Sequence, residues 1–121
     1  MFAKKYTWVK IASAESELVL NEASIGTIEV NGQKVCVSKF RNRWYGFASS
    51  CPHAGAMLSE GYIDESANVV CPVHSYKFSI MNGRNAEGED YRLKTLPIEC
   101  RREGIFIGFE EKRKWNWPGS K

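Results

Sequence analysis

Two short arms, Ser50-Cys51-Pro52-His53-Ala54-Gly55-Ala56 and Val70-Cys71-Pro72-Val73-His74-Ser75, constrain this chain more than any other feature. The first reads C-x-H, the second C-x-x-H, and seventeen residues lie between His53 and Cys71. Thiolate and imidazole together suit a metal centre that takes both ligand types. The order of the four residues carries the information. A zinc finger usually places two cysteines in one arm and two histidines in the other. Here each arm brings one of each, as a two-iron cluster needs when one iron is bound through sulfur and the other through nitrogen.

Around the four residues stand further markers. Both cysteines are followed by proline, Pro52 and Pro72; Leu58 and Gly61 follow the first arm, and Phe78 with Asn82-Gly83 follows the second. In this set the chain resembles the Rieske 2Fe–2S proteins, in particular the soluble Rieske ferredoxins, and from about Trp8 to Phe109 it reads in that family's order. The resemblance implies one 2Fe–2S cluster, with Cys51 and Cys71 on one iron and His53 and His74 on the other. Spacing alone leaves two alternatives open: a zinc site of the same four residues, or cysteines and histidines that merely pack. Ligand softness does not exclude zinc.

A chain of 121 residues, 43% of them hydrophobic, supports one domain with a modest core. A metal group tying two loops together would help to stabilise so small a unit. Seventeen basic against fourteen acidic residues leave +3, too weak a bias to argue for nucleic acid. No segment approaches the length of a membrane span, and Met1-Phe2-Ala3-Lys4-Lys5-Tyr6 lacks the apolar core of a signal peptide. This separates the chain from the membrane-anchored Rieske subunits of respiratory chains and predicts a soluble, cytoplasmic protein. The two remaining cysteines, Cys36 and Cys100, are expected to be buried free thiols, since free cysteine packs as a small hydrophobe. Such usage fits a reducing compartment.

Along the chain, Tyr6 to Ile11 alternates as a half-buried strand does. Ser13 to Ala23 is open between a helical turn and an irregular loop. Gly26 to Val30, Asn31-Gly32 and Lys34 to Phe40 form the clearest hairpin, because Asn-Gly tolerates the positive φ angles of a type I′ turn. A second turn at Arg41-Asn42-Arg43 leads into Trp44 to Phe47. Gly61 to Val70 predicts a short hairpin turning around Asp64 to Asn68, and Tyr76 to Met81 a strand that turns at Asn82-Gly83. Leu93 to Cys100 and Gly104 to Phe109 predict a last hairpin around Arg101-Arg102-Glu103, after a polar loop at Asn85 to Asp90. Short strands punctuated by turns indicate an all-β sandwich or barrel. Within it, the resemblance implies a Rieske-like antiparallel base with a small cluster-binding subdomain near residues 45–82. The tail at 110–121, with Trp115 and Trp117, reads as an arm covering an edge strand, or as a docking segment.

The chemistry is narrow. The chain has only two histidines, and the cluster claims both. None is left for a 2-His-1-carboxylate iron or a histidine-dependent nucleophile, and no G-x-G-x-x-G seats a dinucleotide. A cluster with all its protein positions filled offers substrate no coordination site, so single-electron transfer remains, not catalysis by this chain. The resemblance implies imidazoles near the surface, which would make His53 and His74 the electron's exit.

High-potential family members carry an extra cysteine in each loop, where this chain has Ala56 and Val73. They also carry hydroxyls that donate toward the cluster sulfurs, at positions matching Tyr76 and Phe78 here. Phe78 cannot donate, so the potential is expected toward the lower end of the Rieske range. Ser75 departs from the glycine that often follows the second histidine, which puts the local turn in question. The resemblance implies a carrier between a flavoprotein reductase and a terminal oxygenase; the chain is also similar to the small subunit of NAD(P)H-dependent nitrite reductase, whose large subunit would then be its partner. A zinc-bound or metal-free binding module is the third reading.

Overall fold

The computed structural model describes residues 5–111, so the reading of the Trp115 and Trp117 tail lies outside the described residues. The Asn31-Gly32 turn forms as its composition predicts, with φ of 52° and 81°. It joins β2 (Ile25–Val30) to β3 (Gln33–Phe40) in antiparallel register, Val30 opposite Gln33. A second tight turn places Arg41 and Asn42 at φ of 50° and 67° and delivers β4 (Arg43–Ala48) against β3. A two-residue strand, β8 (Thr95–Leu96), completes a four-stranded sheet in the order β2-β3-β4-β8.

A second sheet pairs β1 (Tyr6–Ala12) and β9 (Ile98–Arg101) on either side of β10 (Gly104–Glu110). The third is small: β5 (Tyr62–Ile63), β6 (Asn68–Val70) and β7 (Lys77–Ser79), in that order. Its first turn is held by the Asp64 carboxylate, which accepts the Ser66 and Asn68 amide hydrogens, both at 2.9 Å. The described residues thus form an antiparallel all-β fold. Its only helical elements are single 3-10 turns at Glu15–Glu17 and Leu58–Glu60, the first resolving part of the ambiguous 13–23 segment.

Strand β3 explains the layering. Val35, Cys36, Val37 and Ser38 are all buried, where a half-exposed strand would alternate. Val35 faces a core with Val30, Leu96 and Ile107, under the β1-β10-β9 sheet. Cys36 and its cross-strand partner Phe47 face the other way, into a core with Leu58, Val69, Phe78 and both arm cysteines. The middle sheet therefore serves two cores, one for the base and one for the tip that carries the arms.

Two expectations are corrected. Leu93 to Cys100 is not one strand: Pro97 separates β8 from β9, and the chain changes sheets there. Proline has no amide hydrogen to continue a ladder, although the Pro97 carbonyl still accepts the Gly108 amide at 2.9 Å. Cys100 is exposed rather than buried. It lies on the outer edge of its sheet, past Ile98, the last residue of β9 that packs on the core.

Cys36 is buried as expected, fully enclosed, and burial raises its thiol pKa. The thiolate is the reactive form, so the two differ in reactivity. Of Cys36 and Cys100, only Cys100 is expected to react with a maleimide in the native protein. Mass spectrometry of a brief labelling, with Cys100→Ser as control, checks this.

Candidate metal centre

Both arms are loops closed in the same manner. In the first, the Cys51 amide donates to the Ala56 carbonyl at 2.8 Å; in the second, the Cys71 amide donates to the Tyr76 carbonyl at 2.7 Å. In each, the cysteine reaches the carbonyl five residues on, which forces left-handed backbone just before the closure. Gly55 takes it at φ 71° in the first loop; His74 and Ser75 take it at 63° and 56° in the second. Ser75 therefore stands in the second loop where Gly55 stands in the first, four residues after the cysteine. The departure from glycine is absorbed as backbone strain, not as a different turn.

Left-handed backbone costs an L-residue about 1–2 kcal/mol, and glycine escapes that cost. Glycine also gains about 0.4–1 kcal/mol of freedom in the unfolded chain. Ser75→Gly is thus expected to stabilise the protein by a net of about 0.5–1 kcal/mol, measured as a shift in denaturant midpoint. No shift, or a loss, would mean that the serine side chain makes a compensating contact.

The loops rest on residues that leave no freedom beneath them. Leu58 and Phe78 are fully buried under the arms. A Cβ at Gly61 would run into the Val70 carbonyl, and one at Gly83, with φ 79°, into that of Leu93. These are the glycines that follow each arm in the sequence, and close backbone approach is why they are needed.

The sequence-predicted residues come together at the tip. Cys51 and Cys71 are buried in one core, with 2% and 1% of their surfaces exposed. Burial pushes the Cys71 thiol up, and the neighbouring Cys51 adds to it. Two such thiols become thiolates together only against positive charge, which a metal supplies. The Val73 amide donates to Cys71 Sγ at 3.4 Å.

His53 and His74 form the outer pair, ring centroids 6.0 Å apart; His53 is half-buried and His74 exposed. Nδ1 of His53 is buried without any hydrogen-bond partner, a costly state for a polar atom unless it binds something. Among the described residues no three His, Cys, Asp or Glu side chains could hold a single ion.

Sequence reasoning missed part of the setting. Tyr76, matched by position to a hydroxyl that donates to sulfur, instead stacks its ring on His53 at 4.1 Å and 29°. Burial, then Glu89, Tyr91 and Glu87, push its phenol pKa up. Tyr91, just after the polar loop, meets the same imidazole edge-on at 4.8 Å. Around the tip, Met57, Val73 and Tyr91 are exposed apolar side chains.

A family model for the Rieske [2Fe-2S] domain matches residues 7–97. The chain belongs to this family. Among Rieske relatives, the ferredoxin component of the alkene monooxygenase system of Xanthobacter autotrophicus is 24% identical over 89 residues, covering 74% of this chain and 73% of that protein. Two solved Rieske folds superpose well. The ferredoxin of carbazole 1,9a-dioxygenase from Nocardioides aromaticivorans does so with a TM-score of 0.69 at 22% identity, covering 84% of this chain and 96% of that one. A Mycobacterium tuberculosis chain, described as the small subunit of an NADH-dependent nitrite reductase, gives 0.73 at 16% identity, covering 87% and 96%.

The cofactor of a Rieske domain is one [2Fe-2S] cluster, and the donor set at the tip fits it: a buried thiol pair, an imidazole pair and an orphaned inner nitrogen. When bound, the cluster supplies reversible one-electron chemistry. The protein is accordingly an electron carrier. No helix among the described residues is long and apolar enough to cross a membrane.

Proposed function

We propose that Cys51 and Cys71 hold one iron and His53 and His74 the other, and that this single domain passes electrons one at a time from a flavoprotein reductase to a terminal oxygenase. The observation that carries the ligand assignment is the buried, partnerless Nδ1 of His53 beside the enclosed Cys51–Cys71 pair. One cysteine and one histidine in each arm favour a two-metal cluster over a zinc finger, which usually takes two cysteines from one arm and two histidines from the other. The segment near residues 45–82 is the cluster-binding subdomain, set on the outer face of the middle sheet. The exposed apolar side chains of the loops suit transient docking. The similarity to a monooxygenase ferredoxin component supports the oxygenase as acceptor. A free, exposed Cys100 suits the reducing cytoplasm as the place of work.

A reductive titration followed by visible absorption tests this reading. It is expected to show one electron per chain and a midpoint below zero, in the lower part of a Rieske range of roughly −150 to +300 mV. Among the described residues, the donor to a cysteine sulfur from the second loop is a backbone amide, while Phe78 offers none. Fewer donors leave more charge on sulfur and hold the potential down. A midpoint well above zero would overturn the potential argument, and a colourless zinc protein the whole reading.

The second reading, a nitrite reductase small subunit, is favoured by the non-glycine junction His74-Ser75-Tyr76. Co-purification with a large subunit would select it over the free ferredoxin.

A further inference from the structure

The two histidines have unequal surroundings. Tyr76 covers a face of His53 and Tyr91 abuts it at 82°, whereas the Tyr76 ring lies 6.3 Å from His74 and tilted by 54°. His53 is half-buried; His74 is exposed. A ligand imidazole is usually oriented by a hydrogen bond from its second nitrogen. At His53 the neighbours that can restrain the ring are aromatic, one stacked and one edge-on, geometries that aromatic pairs prefer.

We infer that Tyr76 and Tyr91 are positioning residues that lock the His53 ring and wall off its side of the cluster, leaving His74 as the open side of the tip. This rests on the ligand assignment proposed above. Tyr76 closes the second loop while His53 belongs to the first, so the stack also fastens one loop to the other. Tyr91 reaches the same ring from a third segment, between β7 and β8. The wall is thus built from residues brought together only by the fold.

The test uses cluster-loaded protein and two readouts that do not depend on turnover. One is the rate at which an iron chelator bleaches the visible absorption; the other is the pair of histidine nitrogen couplings in pulsed electron paramagnetic resonance of the reduced protein. Tyr76→Leu is expected to speed bleaching about three- to tenfold, the scale of a lost aromatic contact, and to alter one nitrogen coupling while sparing the other. Tyr76→Phe, which keeps the ring, is expected to match the unmodified protein on both. Tyr91→Ala is expected to alter the same coupling by less.

Wild-type behaviour of Tyr76→Leu on both readouts would overturn the inference, as would equal changes in both couplings. Should Tyr76→Leu fail to assemble, Tyr91→Ala decides: a change confined to one coupling upholds the inference and no change overturns it. An unmodified protein without two nitrogen couplings would instead overturn the ligand assignment itself.

Discussion

Cys71→Ser is expected to leave the purified protein colourless, with iron and sulfide falling from about two each per chain to near zero. Serine is almost the size of cysteine, so the core around position 71 keeps its shape while the ligand is lost. A hydroxyl is a harder donor than a thiolate and does not ionise near neutral pH, so it cannot stand in. Cys36→Ser is the matched control. Cys36 lies in the same core and is just as enclosed, yet has no part in the proposed ligand set. It is expected to retain its iron and its spectrum. Iron and sulfide assays on both variants decide the matter. A Cys71→Ser protein with two irons would refute the assignment; equal loss in both variants would point to the polar atom in the core, not to ligation.

Phe78→Ala is expected to destabilise the protein by about 3–5 kcal/mol, the usual cost of hollowing a core at phenylalanine. Phe78 is fully buried on β7, opposite Val69, in the core that also encloses Leu58 and both arm cysteines. The cavity would open directly beneath the two loops, so cluster retention should suffer together with stability. Tyr62→Ala, on β5 of the same small sheet but 53% exposed, is expected to change stability by no more than about 0.5 kcal/mol. Urea unfolding followed by circular dichroism measures both. A loss under 1 kcal/mol for Phe78→Ala would mean that the tip core is not continuous beneath the arms.

The legible parts of this chain were those written in local chemistry. Asn31-Gly32 encodes a turn because few residue pairs tolerate two positive φ angles, and the Cys-His spacing encodes a mixed donor set. Leu93–Cys100 reads as one strand because local sequence says nothing about which sheet a strand joins. Pro97 marked the break, but only the placement of β8 against Phe47 and of β9 against β10 reveals that two sheets meet there. Cys100 misled because sequence does not distinguish an edge strand from a central one. At the tip, position alone points to the Tyr76 hydroxyl, whereas its ring is what meets His53. Tyr91 carried no signal at all: it sits in a polar stretch far along the chain from His53, and their contact is a product of tertiary folding.

The identical closure of the two loops has a consequence for how the protein holds itself together. Each loop is tied off within itself by its own cysteine amide. With Cys51 and Cys71 bound to a common centre, the intervening chain becomes a covalent ring, and closing a ring of this length in the unfolded state is worth about 3 kcal/mol by the disulfide analogy. The cluster is then a reversible cross-link as well as an electron store. Oxidative damage that strips the iron would remove this cross-link and slacken the tip. Such a molecule would be intact as a chain and useless as a carrier, and refilling it would first require the two loops to find each other again.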